Sequence, residues 1–215
     1  LMYNDLTLAF WLIVAGIVFD FFDGFVARLL HSSSAIGVQL DSLADVITSG
    51  LAPAAVLWQV CLQTEPCWLP EGWKLGYGVF VLAAFSALRL AKFNIDETQT
   101  VEFCGLPTPA GSLLCASLGM LWQQGMLALS SDGVLLVAVL TSLLLVSPIR
   151  MFALKFHGFG WRGNEVRYLF LLASIVLIII LRTYAIPVII VLYIVVSAVR
   201  WLCMRSGNPD KAPKA

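Results

Sequence analysis

Four aspartates, Asp20, Asp23, Asp41 and Asp45, lie in the otherwise apolar string DFFDGFVARLLHSSSAIGVQLDSLAD. Asp20 and Asp23 are three residues apart and Asp41 and Asp45 are four apart, so on helices each pair shares one face. An ionised carboxylate at bilayer depth costs roughly 3 kcal/mol, so four uncompensated ones would cost on the order of 10 kcal/mol. Arg28 is the one cation nearby in sequence, too little to neutralise them. A divalent cation answers that charge, and an all-oxygen donor set suits Mg²⁺ or Mn²⁺. Two such ions about 4 Å apart can clamp a phosphoryl group during in-line displacement. Intramembrane acids also line ion routes, so divalent-cation transport stands as the alternative from these residues alone.

The neighbours of the aspartates favour a phosphate ligand. Gly24 and Ala27 remove bulk beside Asp23, and Gly37 does so at the start of the following segment. Arg28, eight residues after Asp20, offers a guanidinium that can pair with phosphate.

The elements that must position these groups are membrane helices. The chain has 215 residues, 60% hydrophobic and only 12% charged, with mean hydropathy +0.91. A soluble domain carries about a quarter charged residues. Seven apolar segments can be drawn: Leu6–Leu30, Ile36–Leu62, Leu75–Phe93, Pro107–Ser130, Val134–Phe156, Tyr168–Leu181 and Ala185–Met204. The expected fold is therefore all-α, a polytopic transmembrane helical bundle occupying residues 1–205, with a flexible tail over 206–215. Pro107 and Pro109 are expected to open the fourth helix, and Pro148 to break the fifth. Thirteen basic and thirteen acidic residues cancel, which leaves no electrostatic case for nucleic acid.

Basic residues set the expected orientation. With the end of the first segment in the cytoplasm, eleven of the thirteen Lys and Arg residues fall on that side, and only Lys74 and Arg182 fall opposite. The C-terminus is then cytoplasmic. Seven crossings that end inside begin outside, so one further crossing before Leu1, eight helices in all, is the economical count. On antiparallel first and second segments, Asp23 is expected to face Asp41 and the deeper Asp20 to face Asp45.

The full pattern, D-x-x-D-G-x-x-A-R, eight residues, then G-x-x-x-D-x-x-x-D, resembles that of the CDP-alcohol phosphotransferases. It is met at Asp20, Asp23, Gly24, Ala27, Arg28, Gly37, Asp41 and Asp45. The strings DSLADVITSGLAPA, RLAKFN, GLPTPA and VSPIRMFALKF are similar to those of a subgroup, the integral-membrane bacterial phosphatidylserine synthases.

This resemblance implies an integral-membrane enzyme of the bacterial cytoplasmic membrane, its site on the cytoplasmic side, that uses two divalent cations, Mg²⁺ or Mn²⁺. The implied reaction moves the phosphatidyl group of CDP-diacylglycerol to the hydroxyl of L-serine and releases CMP. Other acceptors, glycerol 3-phosphate or inositol phosphate, remain the alternative within the family. Asp20, Asp23 and Asp41 would hold metal. Asp45 would be the general base and a further ligand, and Gly24, Ala27, Arg28 and Gly37 would meet the CDP-lipid. Arg150, Arg89 and Lys92 are the candidates for the serine carboxylate. The resemblance also suggests a homodimer, and a preceding helix that helps hold the nucleotide.

Overall fold

A computed structural model describes residues 5–30, 34–68, 75–95, 102–152 and 164–207. Helix α1 (Leu6–Leu29) carries the first aspartate pair, and α2 (Ala35–Asp45) carries the second. α2 begins at Ser34, whose hydroxyl accepts from the Gly37 N–H at 3.1 Å. It does not stop at Asp45. It runs through a π-helical turn, Val46–Leu51, into α3 (Ala52–Gln63). The cause is local: Pro53 has no N–H for the carbonyl of Ser49, and its ring crowds that oxygen. The chain widens instead, and the Ala52 N–H reaches back five residues to Ile47.

After a 3₁₀ segment, Leu75–Phe80, come α4 (Val81–Ile95), α5 (Thr108–Gln123), α6 (Ser131–Leu145), α7 (Glu165–Leu181) and α8 (Ala185–Gly207). The expected seven helical segments are present. Four apolar stretches are long enough to cross a membrane: Leu6–Ala27, Ala35–Gln63, Gly76–Ile95 and Glu165–Met204, the last broken at Arg182–Tyr184 into α7 and α8. With large side chains such as Phe19 and Ile179 turned outward, this is an integral membrane protein whose outer face meets lipid.

Several expected boundaries move, the sixth segment for instance beginning at Glu165 and not Tyr168. The fourth segment ends at Gln123, not Ser130. Gly125, at φ +69°, donates to Trp122 O, and Met126 N–H bonds Leu121 O, a double-bonded terminator that fixes the stop. The fifth begins at Ser131, with Ser130 as its N-cap, and ends at Leu145. The chain before and after Pro148 is extended or irregular, as that proline predicts. The expected tail is helical at Ser206 and Gly207, and its remainder, 208–215, lies outside the described residues.

One element was not expected. β1 (Glu102–Cys104) pairs antiparallel with β2 (Arg150–Phe152), Cys104 opposite Arg150. The six strand residues leave the architecture all-α, but they tie the entrance of α5 to the exit of α6. Gly105 extends the pairing by donating to Ile149 O at 2.9 Å. It does so at φ +77°, where an added Cβ would lie 2.2 Å from the Leu145 carbonyl oxygen. Only glycine fits there.

The core lies where α1, α3 and α5 meet, around Leu6, Phe10, Val56, Leu57 and Val60. Gly119 allows the closest approach, since a Cβ would stand 2.3 Å from Val56 Cγ1. The Gln123 side chain then caps α1, accepting from the N–H groups of Leu6 at 2.8 Å and Thr7 at 2.9 Å. Packing of α5 on α1 thereby holds the helix that carries Asp20 and Asp23.

Candidate functional site

Three of the four aspartates converge. Asp20, Asp23 and Asp41 each offer a carboxylate oxygen, and these oxygens all lie within 4.8 Å of one another. The group is a fit for a divalent cation: hard anionic oxygens from two antiparallel helices, two of the three side chains open to the surroundings. The expected matched-depth pairing is only partly what forms, because Asp41 meets Asp20 as well as Asp23. Asp45 stands one turn deeper, outside the 4.8 Å span of the trio but in electrostatic range of Asp20, the neighbour expected at its depth. Its Oδ1 is buried and has no hydrogen-bond partner among the described residues. A buried, unmatched carboxylate oxygen is costly unless an ion, water or substrate group satisfies it.

The glycines behave differently from one another. Around Gly24, none of the described residues outside its own stretch of helix comes within 4 Å of where a Cβ would stand, so no other described helix packs on this face beside the carboxylates. Gly37 was expected to ease an approach of the same kind. Its nearest neighbour is instead its own cap, Ser34 Oγ, 3.0 Å from an added Cβ, so its smallness serves the start of α2. Ala27 is half-buried on α1. Arg28 lies on the last turn of α1, with its side chain outside the described residues.

Next to the trio the end of α4 forms a second feature. Asn94 Nδ2 donates to Ser42 Oγ at 2.9 Å, which ties α4 to α2 one residue from Asp41. One turn back, Arg89 is buried, stacks on Phe93 with its guanidinium carbon 5.6 Å from the ring centroid, and lies in electrostatic range of Asp45. Its Nη1 donates to Thr108 Oγ1 at 2.6 Å.

Arg89 and Lys92 line an open pocket of about 350 Å³, bounded by Ile95, Cys104 and the segment from Leu145 to Pro148. This gathers two of the three basic candidates into one pocket. Arg150 does not line it. It is exposed on β2, opposite Cys104 in the strand pairing. Thr108 is the residue that sequence reading passed over: flanked by Pro107 and Pro109, it reads as a helix opener, and only its contact with Arg89 reveals a role. The pocket wall was equally hidden, because three-residue strands leave no period in the sequence.

Comparison with known proteins points to one family. Residues 1–152 match a family model described as CDP-alcohol phosphatidyltransferase. The chain is 32% identical over 161 residues to a CDP-diacylglycerol–serine O-phosphatidyltransferase of Bacillus subtilis (strain 168), covering 74% of this chain and 82% of the relative. An enzyme of the same name from Helicobacter pylori (strain ATCC 700392 / 26695) is 32% identical over 203 residues, 91% of this chain and 80% of the relative. Another, from Mycobacterium tuberculosis (strain ATCC 25618 / H37Rv), is 35% identical over 219 residues, 94% of this chain and 73% of the relative.

Proposed function

The chain belongs to the CDP-alcohol phosphatidyltransferase family, and from that premise we infer that it transfers the phosphatidyl group of CDP-diacylglycerol to the hydroxyl of L-serine, giving phosphatidylserine and CMP. The observation that carries this reading is the convergence of Asp20, Asp23 and Asp41 beside a pocket holding two cationic side chains, Arg89 and Lys92. Carboxylates that gather metal and cations that gather carboxylate are the two halves a CDP-lipid and an amino acid require. The transport alternative gives way to the family.

Asp20, Asp23 and Asp41 would hold the divalent cations, Mg²⁺ or Mn²⁺, with Asp45 alongside. When bound, such ions neutralise a diphosphate and stabilise charge on departing CMP. The chain's own residues do the rest. The open face at Gly24 gives the nucleotide diphosphate room against α1, with Ala27 and Arg28 on the following turn. Arg89 and Lys92 hold the serine carboxylate, which turns its hydroxyl toward the trio. Asp45 accepts the hydroxyl proton through its unmatched Oδ1 as the oxygen attacks the lipid-bearing phosphorus. The phosphorus–oxygen bond to CMP breaks in the same displacement, and no covalent intermediate on the protein is needed. Arg150, on β2, guides anionic substrate and snorkels toward headgroups.

The bias of Lys and Arg toward the aspartate end of the bundle supports a site on the cytoplasmic side of a bacterial cytoplasmic membrane. The test is an acceptor panel with labelled CDP-diacylglycerol and the protein in detergent or vesicles. Serine-dependent CMP release that requires Mg²⁺ or Mn²⁺ is expected. Release only with glycerol 3-phosphate or inositol phosphate overturns the acceptor assignment.

A further inference from the structure

Among the described residues that line the acceptor pocket, half belong to no helix. Its wall runs from Leu145 to Pro148 and continues into β2, so backbone hydrogen bonds rather than helical regularity fix its position. Three such ties come from the other side of the pocket: Leu106 N–H to Leu144 O at 2.9 Å, Gly105 N–H to Ile149 O at 2.9 Å, and the β1–β2 pairing. The far end of the wall is Phe152. Bonds in an antiparallel pair alternate, and Gly105 bonding Ile149 makes Phe103 and Met151 the next bonded pair. The carbonyl of Phe152 therefore points away from β1, and the strand pairing leaves it unmet.

Tyr193 meets it. Its phenol donates to Phe152 O at 3.0 Å in a buried setting. Its ring packs edge-on against the Phe152 ring at 4.9 Å between centroids, and Phe170 completes a trio, 5.6 Å from Phe152 and 5.8 Å from Tyr193. Tyr193 comes from the middle of α8, 41 residues beyond Phe152 and outside the stretch that the family model matches. α8 also touches α5, whose first residue holds Arg89. The last helix thus braces both sides of the pocket, although none of its residues is among the described ones that line it.

We propose that Tyr193 is a positioning residue for the acceptor: its hydroxyl, by holding the Phe152 carbonyl, sets the wall that faces Arg89 and Lys92. The proposal rests on reading that pocket as the serine site. A tyrosine present only to fill the core would act through its ring. One that positions the wall acts through its single hydroxyl oxygen, and the two roles separate on substitution by phenylalanine.

Tyr193→Phe keeps the aromatic trio and removes one buried hydrogen bond, a loss that corresponds to about a 3- to 10-fold change in a binding constant. The expected result is a rise of that size in the KM for serine, with the KM for CDP-diacylglycerol and the kcat held within about twofold. A second readout needs no turnover. Cys104 lines the pocket, so in protein whose other four cysteines are replaced, its alkylation rate by a small polar reagent reports the wall directly. That rate is expected to change by about threefold or more in Tyr193→Phe, and to fall in the parent when serine is added. An unchanged Cys104 rate, or equal rises in both substrate KM values, overturns the positioning role. Should the parent use a different acceptor, the assignment of serine fails by itself; the Cys104 rate and the KM for the working acceptor then decide on Tyr193 as before.

Discussion

Arg89 donates to the Thr108 hydroxyl at 2.6 Å inside the bundle, so the first residue of α5 fixes the direction of a buried guanidinium on α4. The bond crosses the gap between two helices where β1 and the pocket wall also meet. A free arginine would retain its charge but lose its aim. Thr108→Val keeps shape and removes the acceptor, and a hydrogen bond to a charged group contributes about 1.5–3 kcal/mol. The serine KM should therefore rise tenfold or more, with a smaller change for CDP-diacylglycerol, and Thr108→Ser should restore most of it. Steady-state kinetics with each substrate varied in turn checks this, and identical behaviour of the Val and Ser variants would sink it.

The carboxylates divide by geometry into a trio and one that stands apart, and the variants should divide in the same way. Asp23→Asn and Asp41→Asn remove members of the oxygen cluster. The parent is expected to gain thermal stability from Mn²⁺, and both variants are expected to lose that gain and at least 100-fold in turnover. A ligand that binds only folded protein raises its melting midpoint. Asp45→Asn should also lose turnover while keeping most of the Mn²⁺-dependent rise in Tm. If Asp45→Asn abolishes the rise and Asp41→Asn keeps it, the roles are reversed.

Much of this arrangement was legible in the chain, and what was not has a physical reason. The aspartate spacings and the long apolar runs place helices and charges directly, because periodicity and hydropathy are properties of consecutive residues. Pro107, Pro109 and Pro148 mark helix limits for the same reason. The π-helical turn that joins α2 to α3 depends on one proline and on Gly50 packing against Ser86 of α4, an added Cβ coming 3.0 Å from that side chain, which is a tertiary fact. The separation of Asp45 from the trio follows from how two helices cross, and sequence spacing does not contain that. Tyr193 is the extreme case. It lies in a helix with an apolar pattern all round, and its meaning appears only where its hydroxyl ends.

Gly105 closes the wall from the β1 side, and the demand on it is steric. Its φ of +77° disfavours any side chain, and a Cβ would lie 2.2 Å from the carbonyl oxygen of Leu145, on the pocket lining. A strained left-handed residue alone costs about 1–3 kcal/mol, and overlap with backbone adds to it because backbone cannot rotate away. Gly105→Ala should lower the melting midpoint of detergent-solubilised protein by several degrees and remove serine-dependent CMP release. Asp41→Asn, by contrast, should not lower the midpoint measured without metal. A Gly105→Ala protein with parental Tm and parental serine KM would show that the wall can move without consequence.

Gly24 presents the opposite case, a glycine with space around it. Among the described residues no atom outside its own stretch of helix lies within 4 Å of an added Cβ, so a methyl group fits there, while the position borders Asp23 and the open side of the carboxylate trio. If that space belongs to the CDP portion of the donor, filling it should injure donor binding and little else. Gly24→Ala is expected to stabilise α1 slightly, since alanine is favoured over glycine in a helix interior by about 1 kcal/mol, and yet to raise the KM for CDP-diacylglycerol severalfold. Gly24→Leu should abolish turnover with the Tm at or above that of the parent and the Mn²⁺-dependent rise intact. Kinetics with CDP-diacylglycerol varied, alongside thermal unfolding with and without Mn²⁺, separates the two effects. Parental donor KM in the leucine variant would mean that the nucleotide lies elsewhere, and the face beside Gly24 would then belong to lipid.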